Sequence, residues 1–223
     1  MMIQCSYSTS LGSVLARSFC WYNTQMRRIV LIDGENLVYG LRHMLGDEAN
    51  KAPRSHVDGF NFRGLIEELL SDNMPSQILW FGARLRKYTM SEELLEKSER
   101  AIRTQGSFMN QIQNQKIHFI KVGYLRARES DLCESCDHQT WKLTEKGVDV
   151  GLAVRMITEA DKDTEIVVVS ADTDLLPAFN ASSKLGARIM HIGYEFRPVH
   201  ALIRSSDKSR TITLPLVQKY KKN

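Results

Sequence analysis

Four aspartates stand at places where a strand-forming run ends or a helix begins. Asp33 follows the apolar run Ile29 to Ile32, Asp172 and Asp174 follow Ile166 to Val169, and Asp149 opens the helical pattern that leads into that second run. A carboxylate withdrawn from water is costly unless it is paired or bound to a metal. Several gathered together raise one another's pKa until a cation relieves them. If these acids meet, their hard oxygen donors suit Mg²⁺ or Mn²⁺, ions that keep several waters and grip substrate phosphates. Such an ion can activate water and stabilise a leaving oxygen. Taken one at a time, each acid has a plainer use. Asp172 or Asp174 can cap a helix, Asp149 can complement a helix dipole, and Asp33 can hold a turn. The metal reading depends on convergence, and so on the elements that carry the acids.

Those elements read as alternating strands and helices. Arg28 to Ile32 is a short apolar run, and after Asp33-Gly34-Glu35-Asn36 the residues Leu37, Leu41 and Met44 or Leu45 recur at helical spacing. The polar stretch 46–60, with Pro53 and Gly59, reads as a loop. Leu65, Ile66, Leu69 and Leu70 form a helical stripe ahead of the apolar run Ile78 to Phe81. Ser91 is placed to cap a long helix carrying Leu94, Leu95, Ile102, Met109 and Ile112. The spacing of Val150, Ala153, Val154 and Ile157 predicts a further helix, and Pro177 and Gly186 bracket another. Strands are expected at about 28–32, 77–82, 117–122, 166–170 and 187–192, while 126–144 is too irregular to assign beyond loop or hairpin. This pattern calls for a three-layer α/β/α fold with a mainly parallel five-stranded sheet. Ligands in such sheets sit beyond the strand carboxyl ends where strand order reverses. If the reversal lies between the first and fourth strands, the loops bearing Asp33 and the pair Asp172, Asp174 face each other.

The composition sets outer limits. With 223 residues, 43% of them apolar, the chain can bury one full α/β core. The 30 basic and 26 acidic residues leave a net charge of +4, so where the charges lie matters more than their sum. No apolar run approaches the ~20 residues that cross a bilayer, which argues against a membrane partner. Residues 1–25 read as an unstructured extension, although their Ser-rich, acid-free composition would also suit an organellar transit peptide. Residues 26–205 are expected to form the domain, and 206–223 a basic tail with Lys219, Lys221 and Lys222. Four cysteines do not make a secretory disulfide framework, and a reducing cytoplasm fits them best.

Three motifs carry a resemblance. IVLIDGEN at Ile29 to Asn36, KGVDVGLAV at Lys146 to Val154 and VVVSADTDL at Val167 to Leu175 together resemble a NYN domain of the PIN-like nuclease superfamily, in order and spacing over about Arg27 to Gly193. The resemblance implies that Asp33, Asp149, Asp172 and Asp174 are the metal-site acids and that Asn36 and Ser170 are polar members of the same site. It also implies a metal-dependent ribonuclease using Mg²⁺ or Mn²⁺. Ala171 departs from the family, which often has Gly between the Ser and Asp of the third motif; no ligand is lost by it. Glu35 stays outside the expected set.

A partner follows from the charges near those acids. Arg84, Arg86, Lys87 and Tyr88 follow the second strand, and Lys121, Tyr124, Arg126 and Arg128 the third. A basic rim around an acidic centre suits an RNA backbone, single-stranded if Tyr88 and Tyr124 stack bases. For the tyrosines, inward packing is the favoured alternative. Cys133-x-x-Cys136 with His138 and His118 invites a zinc reading, but a structural Zn²⁺ usually needs four ligands and only one CxxC is present, so a loop or hairpin tip is preferred. A homo-oligomer stays open. Two other functions compete: a haloacid-dehalogenase-like phosphatase, which wants an Asp where Glu35 stands, and an RNA-binding module without turnover, which would tolerate loss of the acids. No GxxxxGK[ST] loop supports an NTPase.

Overall fold

A computed structural model of the chain describes residues 26–46, 57–71, 74–129, 132 and 139–221. Cys133, Cys136 and His138, and the extension 1–25, lie outside the described residues, so the zinc reading meets no structure there. In chain order the elements are β1 (Arg27–Asp33), α1 (Gly34–Met44), α2 (Phe62–Leu69), β2 (Gln77–Gly82), α3 (Glu92–Asn114), β3 (His118–Lys121), β4 (Tyr124–Glu129) and β5 (Trp141–Lys146). They continue with α4 (Val148–Glu159), β6 (Thr164–Val169), a 3-10 turn (Thr173–Leu175), α5 (Leu176–Lys184), β7 (Arg188–Tyr194), α6 (His200–Arg204), β8 (Lys208–Ile212) and α7 (Leu214–Tyr220). No helix among the described residues is long and apolar enough to cross a membrane.

Six of the strands form one parallel sheet in the order β3-β2-β1-β6-β7-β8. The five expected runs are all in it, and the order reverses between β1 and β6, the first and fourth of those runs. The period of two in the strands splits their side chains between two layers. On one face Val30, Ile32, Ile78, Trp80, Val167 and Val169 pack with residues of α1, α2, α3 and α7. On the other, Ile29, Leu31, Leu79, Phe81, Ile166 and Val168 pack with α4, α5 and α6. Both faces of β1 and β6 are covered, which is why their sequences are continuous rather than alternating apolar runs. Each such Ile, Leu or Val, taken fully out of water, contributes about 1.5–3 kcal/mol.

Two features differ from the sequence reading, and a third decides between its alternatives. The sheet has a sixth strand: β8 pairs with β7 from Met190↔Lys208 to Tyr194↔Ile212, and α7 buries Val217 in the first core layer, so part of the segment read as a basic tail is built into the fold. An edge strand reading KSRTI keeps polar residues facing solvent and gives no apolar run to detect. The stretch left as loop or hairpin takes the second form, with β4 and β5 paired as an antiparallel ribbon. Finally, α4 forms as expected but on another face, burying Val148, Leu152 and Met156 while Val150 and Val154 are more than half exposed. Its sequence is apolar nearly all round, so spacing alone does not choose the face.

At the amino end of the sheet, away from the acids, Arg28 and Glu165 are direct neighbours on β1 and β6 and form a buried ion pair through the Arg28 Nε. Removing Arg28 leaves the buried Glu165 carboxylate without its cation, whereas replacing both with apolar groups does not. Arg28→Met is therefore expected to cost about 3–5 kcal/mol in denaturant unfolding, and Arg28→Met with Glu165→Leu to recover most of it. A single variant as stable as the wild type would show that the pair adds nothing.

Candidate metal centre

The register of β1 on β6 sets Ile32 against Val169, so the chain leaves the sheet side by side at Asp33 and Ser170. The Ser170 hydroxyl, fully buried, donates to Asp33 Oδ2 at 2.9 Å and accepts from the Asp172 amide at 3.1 Å. Asp33 caps α1, its Oδ1 accepting from the Asn36 amide at 3.3 Å. Asn36 reaches back across the gap: its side-chain oxygen accepts from the Ala171 amide at 3.0 Å. Asp172 caps the 3-10 turn through the Asp174 amide at 2.9 Å. The two loops are thus sewn together by side chains; the turn-holding expected of Asp33 takes the form of a cap on α1, and Asp172 caps the 3-10 turn rather than the Pro177 helix itself.

Local sequence explains how the chain turns here. A Cβ on Gly34 would lie 2.1 Å from the Trp80 indole nitrogen and 2.6 Å from the Phe81 carbonyl, so only glycine lets α1 start this close to β2. Gly147, at φ 78°, supplies the left-handed turn between β5 and α4 and so delivers Asp149 in the first turn of that helix.

Burial pushes the Asp33 carboxyl above its ordinary value; the Ser170 hydroxyl and the Asn36 amide pull it part of the way back, and Asp172 and Asp149 push it up again. Asp149 and Asp174 are exposed, and Asp172 is half-buried. Asp174 is not among the groups that act on Asp33. Among the described residues no three His, Cys, Asp or Glu side chains stand close enough to enclose an ion. Any divalent ion here would meet one or two carboxylates and water rather than a closed protein cage. Both Asp33 oxygens already accept one bond, but each keeps a further lone pair for a cation.

Two buried residues of β7 that sequence reasoning passed over support the site from behind. His191 Nε2 donates to the Ser170 carbonyl at 2.8 Å, and burial holds the imidazole below its usual range, so it is a neutral brace. Tyr194 is buried; its hydroxyl has no hydrogen-bond partner among the described residues, and burial and then Asp33 push its pKa up. Both sit in a run, RIMHIGY, whose apolar members dominate its reading as core strand.

The basic residues divide into two groups. Arg84, Arg86 and Lys87 are exposed but engaged within the protein: Arg84 Nε donates to the Lys121 carbonyl at 3.1 Å, Arg86 lies 4.8 Å over the Tyr88 ring, and Lys87 pairs with Glu99 at 2.7 Å. Tyr88 itself is buried and its hydroxyl bonds the Leu125 carbonyl, so it packs inward and stacks no base. Arg126 and Arg128 lie on β4, where pairing sets Tyr124 opposite Lys146, Arg126 opposite Thr144 and Arg128 opposite Lys142. Paired residues share a face. One face of the ribbon thus carries four exposed cations, two of them, Lys142 and Lys146, missed from sequence. The other face turns Leu125, Ala127, Trp141 and Leu143 inward, and their alternation is the signal that could have revealed both strands. The ribbon is tied to α3 by Lys97 Nζ donating to the Trp141 carbonyl at 3.2 Å, and it runs directly into Asp149.

A raised carboxyl pKa has a definite consequence for stability. The folded state holds its proton to higher pH than the unfolded chain, so the contribution of Asp33 is fully present below its unfolded pKa and is lost as pH rises through the folded one. Asp33→Asn keeps an acceptor oxygen and does not titrate. In EDTA, the melting temperature of Asp33→Asn minus that of the wild type should grow as pH rises from 3 to 7. A difference that shrinks over this range would mean that the Asp33 carboxylate is not held at a cost.

The family model for the NYN domain matches residues 27–213. No curated protein matches the chain. Among solved structures, a protein of unknown function from Vibrio parahaemolyticus is similar, with a TM-score of 0.52 at 14% identity over 85% of this chain and 94% of that one, a likeness of fold alone. A phosphofructokinase-2 mutant from Escherichia coli follows at a TM-score of 0.34 and 8% identity, over 79% of this chain and 57% of that one. With the family match covering the whole sheet and all three motifs, the chain belongs to the NYN domain family, a family of PIN-like nucleases.

Proposed function

We propose that this NYN domain is a metal-dependent endoribonuclease acting on single-stranded RNA. The observation that carries the reading is Asp33: a half-buried carboxylate with a raised pKa, at the point where strand order reverses, with Asp172 and Asp149 as its charged neighbours. Asp33 and Asp172 are the proposed ligands of Mg²⁺ or Mn²⁺, with Asp174 beside them on the exposed turn and Asp149 holding the ion or orienting a water. When bound, the ion would supply Lewis-acid charge and a nucleophilic water for hydrolysis of a phosphodiester.

The chain's own part is to hold these groups still. Ser170 and Asn36 fix the Asp33 carboxylate and join the two acid-bearing loops, which limits the reorganisation needed at the moment of reaction. The exposed face of the ribbon, with Arg126, Arg128, Lys142 and Lys146, is the proposed grip on the RNA backbone, and Arg84, Arg86 and Lys87 add positive charge on the loop after β2. Alternate residues along a strand are about 6.6–6.8 Å apart, so a strand lays out its cations as a regular row along an extended chain. Glu35, two positions after Asp33, does not supply the Asp that a haloacid-dehalogenase-like phosphatase wants.

A second reading, an RNA-binding module without turnover, is favoured by one observation: no three potential ligands enclose an ion among the described residues. Cleavage decides between them. Purified protein is incubated with end-labelled single-stranded RNA in Mn²⁺, Mg²⁺ or EDTA. Internal cleavage is expected with either metal and none in EDTA, and Asp172→Asn should cut about 100-fold more slowly or worse. Cleavage by Asp172→Asn at the wild-type rate would remove the acids from the reaction, and binding without cleavage in either metal would establish the second reading. For the ribbon, replacing Arg126, Arg128, Lys142 and Lys146 with Gln should lower the slope of log affinity against log salt by about 0.7 for each phosphate that is no longer neutralised. An unchanged slope would put the RNA path elsewhere.

A further inference from the structure

On the side of the acids away from the ribbon, a cavity of about 470 Å³ opens between the β6 and β7 carboxyl ends. Asn36 and Asp172 of the acid site form one wall, and Arg197, Pro198 and His200, all exposed, the other. Continuing from Asn36 along α1, Tyr39 is one turn on and His43 one turn further, both pointing to solvent. Tyr39 is 49% exposed, a large ring surface left in water. Phe196, adjacent to Arg197, is 36% exposed and lies 4.1 Å from the His43 ring at 32°. The row runs on from Tyr39 through His43 and Phe196 to buried Tyr194, with interplanar angles of 21°, 32° and 33°. Gly40 makes this possible, since a Cβ there would meet the Tyr194 ring at 2.5 Å.

We infer that this cavity and the aromatic row are a nucleotide subsite, in which an unpaired base of the RNA strand stacks on the exposed Tyr39 ring, at the open end of the row backed by His43 and Phe196, while Arg197 takes the phosphate beside the one at the acids. The inference rests on the reading of this rim as an RNA site and extends it to a second side of the acids. Continuity supports it, because Asn36 and Asp172 belong to the acid site and to the cavity wall alike. The chemistry supports it as well. The Tyr39 ring, half-exposed at the open end of the row, offers sequence-tolerant stacking to any unpaired base, and the Arg197 guanidinium on the cavity wall offers a planar fork for phosphate. A duplex keeps its bases stacked on each other and cannot use such rings, so the subsite selects single strands. The ribbon then holds the strand on one side of the acids by its backbone, and the aromatic row holds it on the other by a base.

The test uses the full chain and a fluorescent single-stranded 12-mer RNA, with binding followed by anisotropy in EDTA and cleavage followed separately in Mn²⁺. Tyr39→Ala, Phe196→Leu and Arg197→Ala are compared with the wild type, and a set of 12-mers carries one abasic site at each position in turn. Tyr39 is on an exposed helix face, so its replacement keeps the test valid if Phe196→Leu folds poorly. Tyr39→Ala should weaken binding by about tenfold, within the range for loss of one stacked base, and Phe196→Leu, which removes the ring behind His43, by a smaller factor. Removing the base at one position of the 12-mer should weaken wild-type binding by about the tenfold of Tyr39→Ala and leave Tyr39→Ala little changed. Arg197→Ala should weaken binding of every 12-mer alike. If the wild type binds and cleaves RNA while Tyr39→Ala and Phe196→Leu bind like it, the subsite is wrong and the nuclease reading stands. If the variants show the expected pattern but the wild type cleaves nothing, the subsite stands and the nuclease reading falls. A wild type that binds no RNA overturns both.

Discussion

The pairing of β1 with β6 is the constraint on which the site depends. Ile32 opposite Val169 leaves Asp33 and Ser170 as the next pair of residues, each at the point where its strand gives way to a turn. A slip of one residue would exchange the two faces of β1, sending Val30 and Ile32 to the layer that receives Ile29 and Leu31, and would part Asp33 from the hydroxyl that holds it. The buried faces therefore lock the register, and the register sets the carboxylate. The core's apolar packing offsets the cost of holding Asp33 partly out of water beside two other acids.

Around that carboxylate the polar groups act on the backbone more than on each other. Ser170 bonds Asp33 and the Asp172 amide, Asn36 bonds the Ala171 amide, and His191 bonds the Ser170 carbonyl from the core side. The loop after β6 is thus held on both sides by side chains from β1–α1 and β7. Hydrogen bonds to backbone in a low-dielectric setting rigidify a loop at positions where apolar packing cannot reach. The acids on it have little freedom except at the exposed turn, where Asp174 lies.

Much of this was legible in the sequence because it rests on patterns of single type. Continuous apolar runs marked β1, β2, β6 and β7, since strands covered on both faces have no polar positions to interrupt them. Asp33, Ser170 and Asp172 stood at the ends of those runs, and three motifs in order pointed to the family. What was missed or left open lies at the edges. The ribbon and β8 bury one face or less, so their apolar content falls to alternate residues or fewer. The inward packing favoured for the tyrosines holds for Tyr88, whose hydroxyl bonds the Leu125 carbonyl, and only the fold shows that Tyr124 stays exposed. Likewise Tyr39, His43 and Phe196 are far apart in sequence or separated by helix turns, and the fold alone makes them a row.

The central claim is that the Asp33 carboxylate, raised by burial and by its acidic neighbours, is the anchor of a divalent cation. The most direct measurement is an anomalous-difference map from crystals soaked in Mn²⁺. A peak is expected within about 2.0–2.3 Å of an Asp33 oxygen, on the side facing Asp172 and Asp149, with water in the remaining positions. A well-occupied crystal showing no peak at Asp33, or a peak only at other surface acids, would contradict a metal site at this strand junction.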